Sequence, residues 1–195
     1  MIVHWNDFNE RDHPGTFSSR GHHNGKDRLG LVSEMSPAEY AEALGSFASG
    51  VTLMTLREDL DDIGTTVTAF MAVSADPPLV AVGLAADSYV FEAMDLAGTC
   101  AITILAANQS VLASRFAAAG RPSARLLLDD VPHVRAAKSK ALVVTGGLAA
   151  LDCRVHSTFD AGDHALVVLR ILEVIYVAED RQPLIRHRSR YRREL

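Results

Sequence analysis

Cysteine is scarce: Cys100 and Cys153 are the only two. No CxxC pair or metal-ligand spacing joins them, so a zinc ribbon or a thioredoxin-like motif is excluded. Both lie in apolar, β-forming stretches and read as small buried hydrophobes, a disulfide or a catalytic thiol being the alternatives. Positive charge is not in excess. Lys and Arg number 19 against 24 Asp and Glu, a formal net charge of −5. A general nucleic-acid binder would be basic. No apolar run approaches the roughly 20 residues of a membrane span. Met1 to His13 lacks the basic onset and apolar stretch of a secretory signal. The expectation is a cytoplasmic protein that engages neither nucleic acid nor membrane. Repeats and low-complexity tracts are missing. So are GxGxxG after a strand, GxxxxGK[ST], HExxH and GxSxG. A nicotinamide cofactor, if used, is therefore not held on a Rossmann fold.

What is present suffices for one ordinary core: 48% of residues are apolar and 22% charged. Residues 1–34 stand apart. They hold His4, His13, His22 and His23 with scattered glycines and charges, and no hydrophobic period. They read as a flexible N-terminal arm without a metal site. Residues 35–195 read as the folded domain.

Ser36-Pro37-Ala38-Glu39 has the spacing of a capping box with proline at the first helical position. Tyr40, Leu44 and Phe47 then share a helical face, and Gly50 is the expected stop. Val51 to Leu56 reads as a strand, Glu58 to Gly64 as an acidic turn, and Thr65 to Ser74 as renewed strand. Pro77-Pro78 breaks the pairing before the apolar strand Leu79 to Leu84. Ser88 caps a short helix that ends at Gly98. Thr99 to Leu105 is a strand and Gln109 to Ala119 a second short helix. Residues 121–145 are weakly patterned and read as a long surface excursion. Ala149, Leu151, Cys153 and Val155 alternate with Ala150, Asp152, Arg154 and His156, the period of a half-buried strand. Gly162-Asp163-His164 makes a turn, Ala165 to Val177 a β-rich return, and Pro183 to His187 a last strand. Strands outnumber helices without regular alternation. The pattern predicts a mainly β fold, a closed or nearly closed antiparallel barrel with a few peripheral helices.

Three local features carry chemistry. Gly64-Thr65-Thr66-Val67-Thr68-Ala69 is small and hydroxylic, so a ligand can approach its backbone. Arg115-Phe116 sets a cation beside an aromatic. Gly162-Asp163-His164 places a histidine in a turn. None decides function alone, and each has an ordinary structural reading. Their order is more telling. Phe47-Ala48-Ser49-Gly50-Val51-Thr52, the run Gly64 to Ser74 continuing into Ala75-Asp76-Pro77-Pro78-Leu79-Val80, then Ala101 to Leu105, Arg115-Phe116, Leu151-Asp152-Cys153, Gly162-Asp163-His164, Pro183 to His187 and Tyr191 follow one another as in flavin reductase-like domains. Over residues 36–193 the chain resembles that family.

The resemblance implies a homodimeric, Greek-key split β-barrel. It implies an NAD(P)H-dependent flavin reductase that binds FMN, with FAD possible, and takes hydride from NADH or NADPH. A separate flavin-dependent monooxygenase is the implied recipient of the reduced flavin. Carried over by position, Asp62, Gly64, Thr65, Thr66, Thr68 and Ala69 line the flavin ring. Gly83, Leu84 and Ala85 lie beside the ribityl chain, and Ser88, Tyr89 and Val90 near the phosphate. Arg115 and Phe116 close the site, while His164 and Tyr191 face the nicotinamide. Ala72, Val90 and Leu169 depart from the family's pattern, and valine at 90 implies weakly held, exchangeable FMN. Two other readings stand beside this one: a flavin-binding electron carrier or sensor without turnover, and a split-barrel flavoenzyme with its own organic substrate. The arginine-rich run from Arg181 to Leu195 reads either as a solvated tail or as an attractor of cofactor phosphates.

Overall fold

A computed structural model describes residues 35–192. The expected flexible arm and its four histidines lie outside the described residues. Helix α1 (Pro37–Gly45) begins as the sequence predicts. Ser36 Oγ accepts from Glu39 N–H at 3.2 Å, and Glu39 Oε2 accepts from Ser36 N–H at 2.8 Å. The helix stops at Ser46, earlier than the expected Gly50. The chain leaves it to form β1 (Ser49–Gly50), whose pairing with Arg186 and Ile185 outweighs the helical period.

Strands β2 (Thr52–Glu58) and β3 (Asp61–Val67) form a hairpin. Only Asp59 and Leu60 turn, because the acidic segment from Asp61 onward is already strand. Then follow β4 (Phe70–Ala75), β5 (Pro78–Ala85), α2 (Tyr89–Ala97), β6 (Thr99–Ile104) and α3 (Ser110–Ala117). The chain continues through α4 (Ala124–Leu127), β7 (His133–Arg135), β8 (Leu142–Val144), β9 (Ala149–Ala161) and β10 (His164–Val177). It closes with β11 (Ile185–His187) and β12 (Arg190–Arg192).

The main sheet has the order β3-β2-β6-β9-β10-β5-β4, with antiparallel neighbours throughout. Its two edge strands, β3 and β4, are separated in the chain by Thr68 and Ala69 alone. Three Cα steps reach at most about 11 Å, so the two edges must meet. The sheet curls into a barrel that is split where Thr68 and Ala69 bend. Gly83 N–H donates to Ala69 O at 2.9 Å and ties the bend to β5. The barrel core gathers Met54, Leu56, Val82, Ile102 and Leu169, joined by Val90, Ala93 and Met94 of α2. Cys100 and Cys153 lie opposite each other on β6 and β9, buried and unbridged.

Residues 121–145 are not the surface excursion that their weak pattern suggests. Their elements are three or four residues long, too short to show a period. Even so, Ala124, Leu128, Ala136, Leu142, Val143 and Val144 are buried. This segment also explains β9. Ala150 and Asp152 sit on its expected polar face but are covered by the excursion. The Asp152 carboxylate accepts N–H bonds from Lys138 at 2.7 Å and Ser139 at 3.1 Å.

Candidate active site at the split of the barrel

The bend at Thr68–Ala69 opens a cavity of about 320 Å³. Thr65, Thr66, Thr68 and Ala69 form one wall, and Gly83, Leu84 and Ala85 of β5 form the next. The walls are small for a steric reason. A Cβ on Gly83 would stand 3.1 Å from Ala69 Cβ, so a larger residue at either place would crowd the opening. The strand register sets His164 opposite Ala85, which brings the turn histidine to the same cavity. His164 Nδ1 lies 2.8 Å from Asp163 Oδ1, fixing the ring's orientation.

The first turn of α2 adds a further wall next to Ala85. Ser88 caps it, accepting from Phe91 N–H at 3.3 Å and donating to Ala85 O at 2.7 Å. Backbone N–H groups of a first helical turn lack intrahelical acceptors and face outward with the positive end of the helix dipole. Val90 lines the cavity, yet its side chain is buried in the barrel core. Tyr89 bonds Glu58 through its hydroxyl, which raises the phenol's pKa. A second cavity of about 310 Å³ adjoins the first, sharing Ser88, Val90 and Arg121 and extending past Tyr89 to Ser123.

Arg121 stands at the junction of the two. Its Nε donates to Gly64 O at 2.7 Å and its Nη1 to Ala118 O at 3.3 Å. No carboxylate pairs with it among the described residues. Sequence reasoning missed it, because between Gly120 and Pro122 it reads only as part of a helix stop.

Three expected site residues are placed differently: Asp62 lines only the second cavity, and Arg115 and Phe116 line neither. The carboxylate of Asp62 is fully buried and points away from solvent. It is bidentate to Arg135 at 2.8 Å on both oxygens and also accepts from Arg125 at 3.1 Å and Arg57 at 3.3 Å. Burial pushes its pKa up, but the hydrogen bonds from Arg135 and Arg125 prevail and hold it below the ordinary carboxylate value. Neighbouring Asp61 accepts from Ser123 Oγ at 2.5 Å. The pair thus clamps the 121–135 segment onto β3. Arg115 and Phe116 do not close the cavity. Successive helical residues point roughly 100° apart, so both cannot face one site. Phe116 is buried under Gly64, where an added Cβ would lie 2.6 Å from its Cε1. Arg115 instead forms a bidentate pair with Asp130 at 2.6 and 3.0 Å.

Tyr191 is absent from the walls of the cavity that holds His164. It packs against the second core cluster, and the Arg186 guanidinium lies 5.6 Å from its ring centroid. A third cavity, of about 340 Å³, also borders Thr68 and Ala69 and is lined by Tyr40, Phe47, Arg186 and Arg188. Cys100 contributes no chemistry here: a hydrogen bond with Cys153 and burial push its thiol well above the ordinary value. Among the described residues there is no cluster fit to hold a metal ion, and no helix is long and apolar enough to cross a membrane.

Comparison with known proteins gives the family. Residues 44–194 match the model of the flavin reductase like domain. The chain is 34% identical over 154 residues to the reductase component of a 4-hydroxyphenylacetate 3-monooxygenase from Thermus thermophilus, covering 79% of this chain and 94% of that one. It is 37% identical over 145 residues to an NADH-using FMN reductase from Agrobacterium fabrum, 74% of this chain and 79% of the other. Among solved structures, the flavin reductase component of a bacterial two-component tryptophan halogenase superposes with a TM-score of 0.75 at 30% identity, covering 80% of this chain and 97% of that one.

Proposed function

The chain belongs to the flavin reductase like domain family and reduces flavin with a nicotinamide hydride donor, and from that premise we propose that the flavin lies in the cavity over the Thr68–Ala69 bend. The observation that carries this reading is the cradle itself. Gly83 and Ala69 leave room only because neither has a larger side chain. The same cavity is lined by a histidine, by the start of α2 at Ser88 and by Arg121, which has no carboxylate partner among the described residues. A flat, uncharged ring system with an anionic tail has that distribution of chemistry.

A bound flavin supplies the hydride acceptor; the protein supplies contact and orientation. Thr65, Thr66 and Thr68 offer hydroxyls and backbone groups to the polar edge of the ring. Gly83 to Ala85 admit the ribityl chain. His164, steadied by Asp163, borders the open side from which a nicotinamide would approach. No protein acid or base is needed for direct hydride transfer. The donor is NADH, by analogy with the Agrobacterium relative. The product, reduced flavin, passes to a separate monooxygenase.

The working unit is a homodimer. Helix α1 buries none of its own residues, and Tyr40, Leu44 and Phe47 are exposed. Met71 and Val73 on edge strand β4 are exposed as well. Exposed apolar surface of this kind marks an interface, and a second copy would cover it beside the Thr68–Ala69 bend.

Replacing Ala69 with tryptophan tests the site. The indole must fill the space facing Gly83, so flavin binding, followed by quenching of flavin fluorescence, should vanish while the far-ultraviolet circular dichroism is unchanged. Unaltered flavin affinity in folded Ala69→Trp protein would remove this cavity from consideration.

A further inference from the structure

We propose that Arg121 is the residue that selects phosphorylated flavin over riboflavin. Its guanidinium serves as counter-charge to the phosphate at the end of the ribityl chain. This deepens the reading of the Thr68–Ala69 cavity as the flavin site and rests on it.

Four other arginines of the region are accounted for: Arg57, Arg125 and Arg135 share Asp62, and Arg115 holds Asp130. Arg121 alone among these five has no carboxylate among the described residues. It is nevertheless withdrawn from solvent far enough that burial lowers its pKa. A guanidinium keeps its charge in a protein, and a partly desolvated cation without an anion is unfavourable. Two carbonyls, Gly64 O and Ala118 O, occupy Nε and Nη1. They fix the group's direction but do not neutralise it. Nη2 has no hydrogen-bond partner among the described residues.

The position is built, not incidental. Gly120 turns the chain with φ of 64°, and Ser123 pins the loop through Asp61 Oδ1 at 2.5 Å and Asp62 O at 3.2 Å. The Nε bond then anchors the guanidinium to β3 itself. Of the two nearby carboxylates, Asp62 is saturated by three arginines, and Asp61 is hydrogen-bonded by Ser123 and keeps its charge on the wall of the second cavity. Four arginines, Arg57, Arg121, Arg125 and Arg135, outnumber these two carboxylates, and Arg121 is the one of the four that lines both cavities. The guanidinium stands on the cavity wall with Ser88 and Val90, tied to Gly64 at the start of the threonine wall.

The charge on the ligand gives the expected order. FMN ends in a phosphate monoester carrying nearly two negative charges, the corresponding phosphate of FAD is a diester with one, and riboflavin has none. Arg121→Gln and Arg121→Lys should be titrated with all three flavins by fluorescence quenching, with circular dichroism as the check on folding. Removing a hydrogen bond to a charged group should weaken FMN by about ten- to a hundredfold, FAD less, and riboflavin by no more than about twofold. Arg121→Lys should recover part of the FMN affinity, because it keeps the charge but not the Gly64 bond. Equal losses for FMN and riboflavin would show that Arg121 only supports the Gly64 backbone, and the proposal would fall. Unchanged FMN affinity would overturn it as well. If the native protein binds none of the three flavins, the cavity reading fails first and the Arg121 assignment goes with it.

Discussion

Replacing Asp62 with asparagine should loosen the clamp that holds the 121–135 segment onto β3. The native carboxylate is fully buried and receives five N–H bonds, from Arg57, Arg125 and Arg135, between 2.8 and 3.3 Å. Asparagine keeps the shape and one acceptor oxygen but loses the charge, and its amide nitrogen must face a guanidinium. Breaking a buried ion pair by removing one partner costs about 3–5 kcal/mol. The arginines here are 27–52% exposed and can recover hydration, so a smaller figure applies. A loss of about 2–4 kcal/mol is expected, or a fall in Tm of roughly 5–15 °C for a domain of this size. Thermal unfolding followed by circular dichroism measures it. The pH dependence gives an independent sign. The folded pKa of Asp62 lies below its unfolded value. Its contribution is therefore complete above an unfolded pKa of about 3.9 and disappears as pH falls through the lower folded value. The native protein should lose Tm more steeply below about pH 4 than Asp62→Asn does. A Tm change under about 2 °C, or parallel acid profiles, would refute the clamp.

Gly64→Ala should destabilise by about 1–3 kcal/mol through overpacking, since its Cβ would lie 2.6 Å from Phe116 Cε1; denaturant unfolding with an unchanged midpoint would contradict the packing. His164→Ala should raise KM for NADH far more than Kd for FMN, because the imidazole borders the open side of the cavity; steady-state kinetics and flavin titration separate the two, and equal losses would contradict the assignment. Cys100 and Cys153, buried and facing each other, should resist thiol reagents in the native protein and react only after unfolding; labelling of the folded protein would show that this part of the barrel opens.

The capping box at Ser36 and the helix from Ser88 to Gly98 were legible because their signals are local. The same holds for β6, β9 and β10, whose patterns extend over many residues. The barrel's closure was not local: it follows from β3 and β4 sitting at opposite sheet edges with two residues between them. The elements of 121–145 were hidden by their shortness, and the burial of Asp152 with them. Strand β12 was hidden for a different reason. The turn before it is Arg188-Ser189, with φ of 46° and 58°, where Asn-Gly would have announced a hairpin. At the site, the small-residue wall at Thr65 to Ala69 and β5 was legible as composition. Which charge is free was not. Asp62 looked available until the structure showed three arginines on it, and Arg121 looked incidental until it proved to be a partly buried cation at the cavity wall with no carboxylate among the described residues.

The most direct test of the account is to mix the native protein and FMN with NADH in the absence of oxygen and follow the flavin's visible absorbance. The account predicts that the absorbance bleaches in proportion to NADH added, that free FMN without protein bleaches far more slowly, and that Ala69→Trp abolishes the difference. Flavin that binds the protein but keeps its colour in excess NADH and NADPH would contradict reductase function and leave only a flavin carrier.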